Sequence, residues 1–153
     1  MRTLPSLPGS VRVARRAVAR AAALLLFAAA APADEPPVPD VISGLASALS
    51  QGDSAAALAA FDPAMKDFGA VSANIDALLA QSEVLCAIDI VSQTGDPASP
   101  ELDADWYLQI KGRSTNAVER RRQRVRLRLS RIRGKWRIAA LSPLSVLEPA
   151  PAR

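Results

Sequence analysis

The chain contains no histidine and only one cysteine, Cys86, among its 153 residues. The absence of histidine removes the commonest general base and the commonest metal ligand. A Ser-His-Asp set is therefore excluded. Only carboxylates and one thiol remain as metal ligands, and the carboxylates show no ligand spacing. A single thiol cannot close an internal disulfide. Cys86 lies inside an apolar run, where a buried structural thiol is the simplest reading. There is no glycine-rich phosphate loop, and the helical region shows no internal repeat. Neither a metal nor a cofactor is implied.

An apolar run long enough to span a bilayer is also missing. The segment AAALLLFAAAA at residues 21–31 is uninterrupted, yet a hydrocarbon core needs about 20 residues. Residues 2–20 before it are basic and carry no acid, and Ala31-Pro32-Ala33 after it is a small-x-small cleavage site followed by Asp34 and Glu35. This order of regions is that of a cleaved signal peptide at residues 1–33. The sequence thus predicts an exported protein, periplasmic or secreted, with no stable membrane span after cleavage. Arg15-Arg16 is a twin arginine, but Ala17-Val18-Ala19 behind it fits the general secretory route better.

The net charge of +4 comes largely from that leader. Five of the 19 Lys and Arg precede residue 21, so 14 cations face 15 acids in the remainder, a net of −1. No nucleic-acid partner is expected on this balance. Residues 34–110 hold 13 acids and one cation, Lys66, whereas residues 111–153 hold 13 cations and two acids, Glu119 and Glu148. The asymmetry reads as two layers of one domain screening each other.

Residues 34–39, DEPPVP, form a stiff linker whose three prolines block helix and sheet ladders. Asp40 then stands as the cap of a helix carrying Val41, Ile42, Leu45 and Leu49 on one face, closed by Gly52. Asp53 opens a short alanine-rich helix at 54–61, which Asp62-Pro63 ends. A third helix is predicted at 70–81, with Val71, Ile75, Leu78 and Leu79 on one stripe. The period changes to two after residue 83. Strands are predicted at 84–91, 104–111, 120–133 and 135–141, with a loop at 92–103 and a tight turn at Gly134. Val125, Leu127 and Leu129 alternate with Arg124, Arg126 and Arg128. The fold class is α+β, with N-terminal helices packed in a curved four-stranded antiparallel sheet over residues 40–147 and a disordered tail at 148–153.

Residues 38–147 resemble the nuclear-transport-factor-two-like, or SnoaL-like, superfamily as an exported bacterial member. The resemblance rests on the Gly52-Asp53 break, the short helix ending at Phe61-Asp62-Pro63, the helix at 70–81, and strands carrying Asp105-Trp106 and Lys135-Trp136-Arg137-Ile138. It implies a cone-shaped domain in which the sheet wraps an N-terminal helix, and sheet-face homodimers. Members usually place a short strand pair between the second and third helices; residues 62–69 have room for at most a vestige. The superfamily includes ketosteroid isomerase and scytalone dehydratase beside many binding domains. The dehydratase chemistry depends on histidines and has no counterpart here. Isomerase logic, an Asp base with Tyr and protonated Asp donors in an apolar cavity, maps onto Asp89, Tyr107 and Asp105.

Each candidate also has a plainer reading. Asp89 in an apolar strand fits a base with a raised pKa, or an acid on an outer face. Arg124, Arg126 and Arg128, about 7 Å apart along one strand face, suit an anionic polymer, or a solvated face paired with Asp103, Asp105 or Glu119. Trp106 and Trp136 fit a ligand wall or the core. The leading expectation is a non-catalytic exported domain that binds a small apolar ligand or a protein partner, a second copy included, through its cavity or sheet face. The alternatives are an isomerase- or hydrolase-like enzyme using Asp89 and Tyr107, and an anionic-polymer binder using the arginine strand. Amino-terminal sequencing of the exported chain is expected to begin at Asp34; an intact Met1 would remove the leader reading.

Overall fold

The computed structural model describes residues 38–151. The leader and most of the linker lie outside the described residues, as do the last two positions. Three helices come first: α1 Val38–Gln51, α2 Ser54–Leu58 and α3 Phe68–Gln81. Four strands follow: β1 Ser82–Asp96, β2 Ser99–Gly112, β3 Val118–Ile132 and β4 Lys135–Ser142. They form one antiparallel sheet in the order β1-β2-β3-β4, as the period-two alternation requires.

α1 begins two residues before the expected cap. Proline is tolerated in a first turn, where its missing N–H is not needed, so Pro39 does not hold the helix back. Asp40 therefore lies inside the first turn, where its charge faces the positive end of the helix dipole. At the other end Gly52 takes φ +71°, with Gly52 N–H donating to Leu49 O (3.2 Å) and Asp53 N–H to Ala48 O (2.9 Å). This is a Schellman closure, which needs a left-handed residue. Asp53 Oδ1 accepts from Ala56 N–H at 2.9 Å and caps α2 as expected. α2 stops early, because residues 60–62 are drawn to β4: Ile138 N–H donates to Ala60 O and Asp62 N–H to Ile138 O, both at 2.8 Å. The resulting Phe61–Ile138 bridge covers the free edge of β4. It is the vestige of a strand between the second and third helices.

The expected loop at 92–103 is instead a continuation of the β1–β2 hairpin. Asp96 pairs with Ser99 across Pro97-Ala98, and Asp96 Oδ1 accepts from Ala98 N–H at 2.8 Å. Residues 89–98 are exposed on both faces, so backbone pairing holds this arm without a burial pattern to announce it. Val91 is bulged between Ile90 and Ser92. The β3–β4 turn is tight, with Arg133 and Gly134 both at positive φ (51° and 77°), the pairing of a type I′ hairpin.

The inner sheet face packs on the helices. Trp106, Leu108, Leu127, Leu129 and Ile138 have no exposed surface, nor do Leu45, Leu49, Phe61 and Ile75 opposite them. Each such side chain contributes about 1.5–3 kcal/mol by burial. The C-terminal segment belongs to this core. Leu144–Leu147 form a 3-10 turn that buries Val146 and Leu147 completely. Arg121 Nη1 donates to the carbonyls of Ser145 (3.2 Å), Val146 (3.0 Å) and Glu148 (2.7 Å). Its Nε and Nη2 hold Glu119 Oε1 at 3.1 and 2.8 Å. Ala150 packs against the core as well. The tail expected from residue 148 is thus held through Ala150, because one guanidinium collects carbonyls that would otherwise be left without donors. Arg121→Met is expected to cost about 1–3 kcal/mol and to speed amide exchange across 144–148; denaturant titration and exchange mass spectrometry would measure both.

Candidate functional site

Strand parity places Asp89, Asp105, Tyr107, Arg124, Arg126 and Arg128 together on the outer sheet face, away from the helices. In cross-strand rows, Ala87 stands beside Tyr107 and Arg122, and Asp89 beside Asp105 and Arg124. The next rows are Ser92–Asp103–Arg126 and Thr94–Glu101–Arg128. Asp89 and Tyr107 thus lie in neighbouring rows, but on a face open to solvent with Asp89 fully on the surface. Isomerase logic needs an apolar site to keep its donor Asp protonated, and the outer face supplies none.

Asp105 is the electrostatic centre of this face. Arg122 Nη2 donates to Oδ2 at 3.0 Å and Arg124 Nε to Oδ1 at 2.8 Å. Hydrogen bonds from Arg122 and then Arg124 hold its carboxyl below the usual range. It therefore stays charged and cannot serve as a protonated donor. The same pairs offset the like-charge opposition of Asp89 and Asp105 across β1 and β2. Arg126 Nε reaches Asp103 Oδ1 at 3.2 Å. Two of the three ladder arginines are therefore engaged by carboxylates. Arg120, Arg128 and Asp89 have no ion-pair partner among the described residues.

The tryptophans part company. Trp106 is sealed in the core, and its Nε1–H donates to Cys86 Sγ at 3.1 Å. Burial pushes the Cys86 thiol up to about 12, against a smaller lowering by that hydrogen bond. Its thiol is therefore protonated at neutral pH and a poor nucleophile. Trp106 fills the space between the sheet and the helices. Trp136 lies at the other end of the sheet, 8% exposed, with Arg131 stacked 5.1 Å from its ring centroid. Its Nε1 is the one buried side-chain nitrogen or oxygen among the described residues without a hydrogen-bond partner.

Beside Trp136 is a surface groove that sequence periodicity did not indicate. It has a volume of about 610 Å³ and runs between the α2 exit and the β3–β4 turn. Leu58, Phe61, Pro63 and Ile132 give it an apolar floor, and Arg133, Lys135 and Arg137 stand at its rim with Asp62. A shallower depression with Trp136 and Asp40 shares Ala59, Lys135 and Arg137 with it. Among the described residues no three His, Cys, Asp or Glu are grouped as a metal site, and no helix is long and apolar enough to cross a membrane.

The sequence matches no protein-family model and no curated protein. Solved structures do resemble it. A candidate aromatic ring hydroxylase from Novosphingobium aromaticivorans superposes with TM-score 0.58 at 12% identity, over 72% of this chain and 94% of that one. Aln2 from a Streptomyces species gives 0.56 at 15% identity, over 68% and 84%. The Rd1NTF2_05 variant gives 0.50 at 13% identity, over 69% and 94%. At such identities the likeness is one of fold: the chain has the nuclear-transport-factor-two-like fold, as its motifs imply.

A charge held below its ordinary range stabilises the folded state above the unfolded pKa, about 3.9 for Asp, and is lost as pH falls through the folded value. Asp105→Asn is thus expected to be less stable than the wild type at pH 7. That difference should shrink as pH drops below about 4, measured by urea midpoints across the range.

Proposed function

We propose that this chain is an exported, non-catalytic binding domain that associates with a second copy of itself through the outer sheet face. One observation carries the reading. The β1 side of that face exposes Leu85 (56%) and an unpaired acid, Asp89, with Val91 (51%) exposed at the neighbouring bulge, while the β3 side offers Arg120 and Arg128, without carboxylate partners among the described residues. An isologous interface needs a surface complementary to itself. An apolar, acidic strip and a basic strip on one face meet that need, each facing the other across a two-fold axis. The same rows give no support to an enclosed catalytic centre, since Asp89 and Tyr107 look into solvent. Grip on an anionic polymer by Arg124 and Arg126 would first have to displace Asp105 and Asp103.

Sedimentation of the purified chain is expected to show a monomer–dimer equilibrium at micromolar concentration. Leu85→Glu with Val91→Glu is expected to leave only monomer, with stability changed by no more than about 0.5 kcal/mol, as is usual for surface positions. A wild-type chain that stays monomeric up to roughly 100 µM, where association would be worth less than about 5–6 kcal/mol, would sink the proposal.

A further inference from the structure

A second surface, at the β4 border of the sheet and argued independently of self-association, has the make-up of a ligand site. We infer that the groove at the β3–β4 turn binds an amphiphilic carboxylate, a small molecule with an apolar body and one anionic head. The volume of about 610 Å³ falls in the range of small-ligand sites. Its floor offers the part-exposed apolar surface of Leu58, Pro63 and Ile132 to the body of such a molecule, over the buried Phe61.

The rim supplies the counter-charge. Arg133, Lys135 and Arg137 make no ion pair among the described residues, whose salt bridges all lie elsewhere. The acid in the groove, Asp62, already has Oδ1 engaged by Ala64 N–H at 2.8 Å. A guanidinium fork matches a carboxylate with two parallel hydrogen bonds. Three cations against one acid leave the head of the ligand a net attraction.

Two further features set this end of the sheet apart. Arg133 sits at φ +51°, in a turn position where Asn or Gly is the comfortable choice. Backbone outliers of this kind gather at working sites. Next to it, in the adjoining shallower depression, stands Trp136, whose buried Nε1–H has no acceptor among the described residues and whose signal reports on this end of the sheet.

Decanoate is the probe, titrated into the nitrogen-15-labelled full chain and followed by calorimetry and by the two indole N–H signals. Saturable binding is expected, moving the Trp136 signal and leaving Trp106, tied to Cys86, in place. Decanol is expected to bind about tenfold more weakly, the factor that one charge-assisted contact supplies. Arg133→Asn keeps the left-handed turn and so keeps the fold. It and Arg137→Gln are each expected to weaken decanoate about tenfold without changing decanol, while Lys111→Gln, exposed at the opposite end of the sheet, changes neither. Equal affinity for decanoate and decanol, or an unmoved Trp136 signal, overturns the assignment. Retention on phosphatidylglycerol vesicles without binding of monomeric decanoate overturns it too, in favour of a membrane surface.

Discussion

The structure depends on one buried side chain, Trp106. It stands in the middle of β2 with no exposed surface, its indole N–H satisfied by Cys86 Sγ across the β1–β2 pair. A buried indole without such a partner would forfeit about 1–3 kcal/mol. The thiol is therefore a structural acceptor, which explains a single cysteine in a chain that cannot make a disulfide. By filling the interior between the sheet and the helices, Trp106 fixes the strand parity of everything around it. Each residue of even number along the middle of β2 turns inward, and each of odd number turns outward.

That parity sorts charge as well as apolar surface. The acids and arginines that divide the sequence into an acidic and a basic half meet on the outer face, where Asp105 and Asp103 bind Arg122, Arg124 and Arg126. Such exposed pairs add little stability one by one. Their main effect is to fix the register of β2 on β3, since a slip of one residue would drive arginines into the core. Two arginines of β3 share the inner parity: Arg131 at its end, stacked on Trp136, and Arg121. Arg121 turns to the inner side and is accommodated there because its donors are taken up by Glu119 and three carbonyls.

What the sequence made legible follows from this physics. Period-two burial in β3 and β4, the helix stripes and the Gly52-Asp53 break were readable, because each is a local pattern. The arm at residues 92–98 was not, since both its faces are wet and no alternation marks it. Arg121 could have been found: it shares parity with Val125 and Leu127, which is an odd place for an arginine. The tail escaped notice because its anchor, Arg121, is more than 20 residues away in the chain. The groove was invisible for a similar reason. Its walls come from residues 58–64 and 132–137, joined only by the Phe61–Ile138 bridge, and no single window of sequence contains both.

The two borders of the sheet are unequal. The β4 border is bridged at one point, where Ala60 and Asp62 bond the backbone of Ile138. The β1 border is longer and, apart from the Cys86 N–H that donates to Ser50 Oγ at 2.9 Å, is covered by no other strand among the described residues. A stray strand would therefore find its longer open template on β1. Along that border the chain carries Glu83, Asp89 and Asp96 and no cation. Two molecules that approach edge to edge bring like charge against like charge, and the bulge at Val91 spoils the flat template that fibrils require. The acidic half of the sequence thus sets charge repulsion against runaway polymerisation along the longer border, which no other strand covers among the described residues.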